Sequence, residues 1–116
     1  MVEFFIPHRL PALNEYINMN RTNRYAGANL KAQTEELIGY YLSGEIKDYP
    51  VIIHFTWHEP NKRKDIDNVA FSKKFVLDAL VKKGVLAGDS PHYVVGFSDK
   101  VVYEGDEGVH IRIERA

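Results

Sequence analysis

A chain of 116 residues with 45% hydrophobic residues, no cysteine and a formal net charge of −1 has the make-up of one small globular domain spanning residues 1–116. The missing cysteines exclude a disulfide framework, a cysteine zinc site, an iron–sulfur cluster and a thiol nucleophile. No run approaches the ~18 to 20 apolar residues of a membrane span, and MVEFFIPHRL lacks the basic and long apolar parts of a signal peptide, so a cytoplasmic protein with no membrane partner is expected.

In chain order, Val2 to Ile6 predicts a short strand, closed by Pro7 and Pro11. Residues 12–29 mix five asparagines with Tyr16, Tyr25, Arg21 and Arg24, and read as a long polar loop with little to bury. Leu30, Thr34, Leu37, Ile38, Tyr41 and Leu42 recur at helical spacing and predict an amphipathic helix from Leu30 to about Ser43, with Gly44 near its end. After Pro50, Val51, Ile53, Phe55 and Trp57 alternate with Ile52, His54, Thr56 and His58, the period of a strand. A second helix is expected from about Asn68 to Lys83, burying Val69, Phe75, Val76, Ala79 and Leu80 and stopped by Gly84. Strand pieces follow at Tyr93 to Phe97, Lys100 to Tyr103 and Val109 to Glu114, and the link Glu104 to Gly108 predicts that the last two form a hairpin. The expected class is therefore α+β, a small mixed sheet with two main helices.

The near-zero net charge hides a local excess. Lys62, Arg63, Lys64, Lys73, Lys74, Lys82 and Lys83 face only Asp65, Asp67 and Asp78 in residues 62–83, so that window is +4 and the rest of the chain −5. Such a segment suits a polyanion, although lysines also cluster on ordinary solvated helix faces. Inside it, KRKDIDN sets Asp65 and Asp67 two residues apart, on one side of an extended chain. Two converging carboxylates repel unless both are solvated or they share a cation, which makes the pair a candidate divalent-metal site. Asp67 or Asn68 also suits the N-cap of the helix that begins there. A calcium EF-hand loop is excluded, because Val69 and Ala70 stand where it needs an oxygen ligand and a glycine. Asp89 supplies a further acid in the turn GVLAGDSP, which otherwise reads as an ordinary Asp-Ser-Pro turn.

The order of these features resembles the RusA family of Holliday-junction endonucleases. It comprises Pro11 with Asn14 and Tyr16 after the first strand, then Asp65-Ile66-Asp67-Asn68, Lys74, Leu77-Asp78-Ala79-Leu80, Gly84-Val85-Leu86 and Asp89. The resemblance spans nearly the whole chain. It implies a RusA-like homodimer that binds branched DNA, in particular four-way junctions, and resolves them by magnesium-dependent paired nicks in recombination and repair, an activity commonly encoded by phages and prophages. It makes Asp65, Asp67 and Asp89 the metal-binding and catalytic carboxylates and Lys74 the catalytic lysine. Counted from Asp67, the family lysine would fall at Phe71; counted from the LDAL string it falls at Lys74, four residues before Asp78, so three extra residues lie near the helix start and Lys73 stays an alternative. Gly88 stands where the family often carries another acid.

Magnesium takes oxygen ligands and keeps several waters, so two or three carboxylates with a substrate phosphate form a reasonable site. Lys62, Arg63, Lys64 and Lys73 are expected to contact phosphates, and Asn14, Tyr16, Arg21 and Arg24 of the polar segment to touch DNA. His54 and His58 lie on one strand face but about 13 Å apart, too far to share a metal. Phe4, Phe5, Phe55, Trp57, Phe75 and Tyr93 fit a core or dimer interface. No glycine-rich phosphate loop is present, which disfavours a nucleotide cofactor. The competing readings are a catalytically silent DNA-binding dimer and a metal nuclease for other branched DNA.

Overall fold

The computed structural model describes all 116 residues. Four strands form one mixed sheet: β1 (Val2–Ile6), β2 (Val51–His58), β3 (Val94–Val102) and β4 (Gly108–Arg115), in the spatial order β1-β4-β2-β3. β4 runs antiparallel to both β1 and β2, whereas β3 runs parallel to β2. The strand alternation read from the sequence sets the sheet's two faces. Val51, Ile53, Phe55 and Trp57 of β2, with Val109, Ile111 and Ile113 of β4 and Phe4 and Ile6 of β1, point to the helix layer and are buried.

The helices are α1 (Leu13–Thr22), α2 (Ala26–Gly39), α3 (Ile66–Ala70) and α4 (Lys73–Lys82). Ile38 and Leu42, from α2 and the turn after it, join Val69, Phe75, Val76, Ala79 and Leu80 in a single apolar core against the sheet. No helix is long and apolar enough to cross a membrane.

Five expectations about the elements are corrected. Residues 12–29 are mostly helical, because Leu13, Tyr16 and Ile17 recur at helical spacing and Tyr16 packs against the touching rings of Phe71 and Phe75, with centroids at 5.5 and 5.8 Å. No residue of α1 is fully buried, so its apolar stripe is thin. The first predicted helix begins four residues earlier and ends at Gly39. The second is broken after Ala70: the Ser72 hydroxyl, buried, donates to the Pro11 carbonyl and restarts the chain as α4. The expected hairpin does not form, since β2 lies between β3 and β4, and the two pieces predicted for β3 are one continuous strand.

Candidate active site

β2 ends at His58 and the chain passes through Lys62, Arg63 and Lys64 into α3. Asp65 is the N-cap residue of α3, with extended backbone angles and no side-chain capping bond, so its carboxylate is left for solvent. The Asp67 Oδ1 accepts from the Asn68 backbone N–H at 3.0 Å, and the Asn68 Oδ1 accepts from the Asn14 N–H at 3.1 Å, which ties α1 to the start of α3. Capping of the kind expected for Asp67 or Asn68 is therefore replaced by this cross-link.

Asp65 and Asp67 line one open cavity of about 340 Å³ together with Asn14, Glu15, Arg63, Lys64 and Asn68. Neither aspartate takes part in an ion pair, whereas Glu15 is held by Arg9 at 2.5 Å and Lys64 leans toward Glu59 at 3.7 Å. Two solvated carboxylates beside two cations that do not neutralise them form a donor set suited to a hard divalent cation. Within one copy of the chain, however, no three carboxylate or imidazole side chains converge closely enough to hold an ion.

Asp89 is the third acid that the resemblance implies. It is exposed in the turn before β3. Because β3 is parallel to β2, with Val94 opposite Val51 and Val102 opposite His58, the start of β3 lies beside the start of β2, whereas Asp65 and Asp67 follow the end of β2. Seven residue steps of strand, about 23 Å, separate the two ends. One copy therefore brings Asp65 and Asp67 together and leaves Asp89 remote. An acid at Gly88, of the kind RusA sequences often carry there, would bring its Cβ within 2.7 Å of the Tyr93 ring.

The two lysines diverge. Lys74 is exposed and reaches Asp78 at 3.7 Å, where Lys31 of α2 also pairs at 3.2 Å. Lys73 turns to the other side and shares a second cavity, about 480 Å³, with Leu13, Ile66, Asp67, Ala70, Phe71 and Asp99. Across the break between α3 and α4, Lys73 and not Lys74 is therefore the lysine on the Asp67 side.

The other expected DNA contacts separate likewise. Lys62 lies over the Tyr103 ring at 5.4 Å, and Arg63 and Lys64 line the aspartate cavity. Tyr16 is a packing residue against Phe71 and Phe75. Arg21 and Arg24 are exposed at the far end of α1, Arg24 bonding the Tyr25 hydroxyl at 2.6 Å. At the other end of α4, Lys82 makes a structural pair with buried Glu35 at 2.6 Å, so the basic window is not one surface. His54 bonds Ser98 at 2.5 Å and Glu114 at 2.8 Å on the opposite face of the sheet, far from the aspartates. Phe5 is exposed and meets His58 edge-on at 5.7 Å, so it is no core residue.

Sequence reasoning missed Asp99. Its carboxylate accepts from Lys73 Nζ at 2.5 Å and from Trp57 Nε1 at 2.9 Å, contacts no local motif announces. Searches against protein-family models and curated proteins gave no match for this chain.

Proposed function

We propose that the protein is a magnesium-dependent endonuclease of branched DNA that works as a homodimer, with four-way junctions as the favoured substrate. The observation that carries this reading is the pairing of Asp65 and Asp67, free of internal counter-ions, on a cavity rimmed by Asn14, Arg63 and Lys64. The resemblance of the D-x-D-N order to RusA endonucleases points the same way. When bound, the metal supplies charge neutralisation at the scissile phosphate and an activated water. The residues do the rest: Asp65 and Asp67 hold the ion, Arg63 and Lys64 draw the phosphate backbone over the carboxylates, and Lys73 offers a donor to the phosphate from the adjoining cavity.

The position of Asp89 argues for the dimer. β3 is an edge strand of nine residues whose outer edge has no strand beside it, and Val95, Phe97, Tyr103 and the neighbouring Ile66 are each 42–53% exposed. A long apolar edge is a template for pairing. Antiparallel pairing of β3 with β3 of a second copy, about a two-fold axis near Ser98, sets the start of one strand beside the end of the other. Asp89 of the second copy then approaches Asp65 and Asp67 of the first, and the symmetry makes two such sites, one for each nick.

The test is incubation of the purified protein with synthetic four-way junctions, flaps and linear duplex, each with magnesium or with chelator. Magnesium-dependent paired nicking of the junction is expected. Binding without cleavage under every metal condition identifies the silent DNA-binding dimer instead, and cleavage of flaps in preference to junctions identifies a nuclease of other branched DNA.

A further inference from the structure

We propose that Asp99 is a positioning residue for the reaction: it clamps the Lys73 ammonium at the edge of the Asp67 cavity, and it is itself locked by the Trp57 indole. This rests on the nuclease reading above. Lys73 is a long side chain with much rotamer freedom, and a free lysine on a helix start sweeps a wide volume. Here it does not. Its Nζ sits 2.5 Å from Asp99 Oδ2 and over the rings of Phe97 at 4.9 Å and Phe55 at 5.7 Å, and only 22% of the side chain is exposed. Three restraints act on one ammonium.

The clamp is anchored in the core. Asp99 Oδ1 accepts from Trp57 Nε1 at 2.9 Å, and Trp57, 3% exposed, stacks on Phe55 with an interplanar angle of 10°. Phe55 is the β2 residue directly opposite Asp99, so the carboxylate is referenced to the central strand of the sheet. Both Asp99 oxygens are engaged, Oδ1 by the Trp57 indole and Oδ2 by the Lys73 ammonium, which fixes the carboxylate as a clamp. An ammonium carries three donors; Asp99 takes one, leaving two for the cavity that Lys73 shares with Asp67. A donor fixed before the substrate arrives needs no reorganisation when charge develops on a phosphate oxygen. Lys74, on Asp78, has no such arrangement.

The experiment compares wild type, Lys73→Ala, Asp99→Ala, Asp99→Asn and the Lys73→Ala/Asp99→Ala double variant in single-turnover junction cleavage with magnesium, with junction binding and thermal unfolding measured in parallel. Asp99→Ala is expected to slow cleavage by about tenfold or more while the binding constant moves less than about twofold, and Asp99→Asn, which keeps an acceptor for Trp57, is expected to lose less. The double variant should be no slower than Lys73→Ala alone, the non-additivity of two residues acting as one unit. A merely structural Asp99 gives losses that multiply, and that result, or Asp99→Ala cleaving like wild type, overturns the proposal. A second measurement is independent of activity: in amine acetylation followed by peptide mass spectrometry, Lys73 should label about tenfold more slowly than Lys74 in wild type and at a comparable rate in Asp99→Ala. Equal labelling of the two lysines in wild type shows that no clamp exists. A wild type that cleaves no branched DNA sinks the nuclease reading and the catalytic role of Lys73 with it, while the labelling still decides whether Asp99 holds Lys73.

Discussion

If each metal site draws Asp65 and Asp67 from one copy and Asp89 from another, two inactive variants should rescue one another. Asp67→Asn and Asp89→Asn are each expected to cost more than the roughly 10- to 100-fold that losing an outer partner costs a metal site. In a mixed dimer, one site combines both substitutions and is dead, whereas the other combines the intact Asp67 of one copy with the intact Asp89 of the other. Random exchange of equal amounts makes about half the dimers mixed, each with one good site, so cleavage should recover to about a quarter of the wild-type rate. The product carries a further signature. A single working site per dimer gives nicked junctions in place of resolved duplexes. The assay is junction cleavage by each variant alone and by the mixture after dissociation and reassembly, resolved on native and denaturing gels. A mixture no more active than its components, with mixed dimers verified by mass, refutes the shared site; so does full activity in Asp89→Asn alone.

Asp65→Asn or Asp67→Asn should abolish cleavage while junction affinity is kept or raised, because each removes negative charge beside Arg63 and Lys64 without removing a phosphate contact; full activity in both would rule out this metal site. Lys82→Met strips the closest cation from Glu35, whose side chain is 3% exposed and keeps Lys31 at 3.2 Å, so a loss of about 1–2 kcal/mol is expected after allowing for the exposed lysines, seen as a melting point lower by about 4–8 °C. An unchanged melting point contradicts this account of Glu35. The Glu114 carboxyl is held below its usual range mainly by its hydrogen bond to His54, so its contribution to stability is present above pH 4.5 and is lost as pH falls through the lowered value; Glu114→Gln should flatten the acid side of the stability profile, and an unaltered profile tells against the bond.

Where burial writes a period into the sequence, the fold was legible. The alternation of Val51, Ile53, Phe55 and Trp57 marks a strand with one face in the core, and the spacing of Phe75, Val76, Ala79 and Leu80 marks the inner stripe of α4. α1 was illegible for the opposite reason. Its asparagines are poor helix formers, it buries nothing completely, and Tyr16 is held by rings more than fifty residues away. The missed strand order has a geometric cause: five residues from Tyr103 to Glu107 reach the adjacent strand or step over one at about 10 Å, two strand spacings, and local composition does not distinguish these. The distinction lies in β2, whose long one-sided apolar run asks for partners on both edges.

For the candidate site, the sequence supplied the chemistry and its order along the chain, and the topology decides which groups meet. A D-x-D-N string identifies two neighbouring carboxylates, and those the fold keeps together. Asp89 comes after a helix that returns the chain to a parallel strand, and in any such unit the turn leaving the first strand and the turn entering the second lie at opposite ends of the sheet. No adjustment of loop length in this connection changes that. The same unit leaves β3 on the edge with Val95 and Phe97 uncovered, so the feature that separates Asp89 from Asp65 and Asp67 within one copy also supplies the strand through which, in the proposed dimer, a second copy would return it. Lys73 follows a parallel logic on a smaller scale: the chain breaks between Ala70 and Lys73, with Ser72 bonded to Pro11, and Lys73, expected as a surface phosphate contact, is the lysine that Asp99 holds beside Asp67.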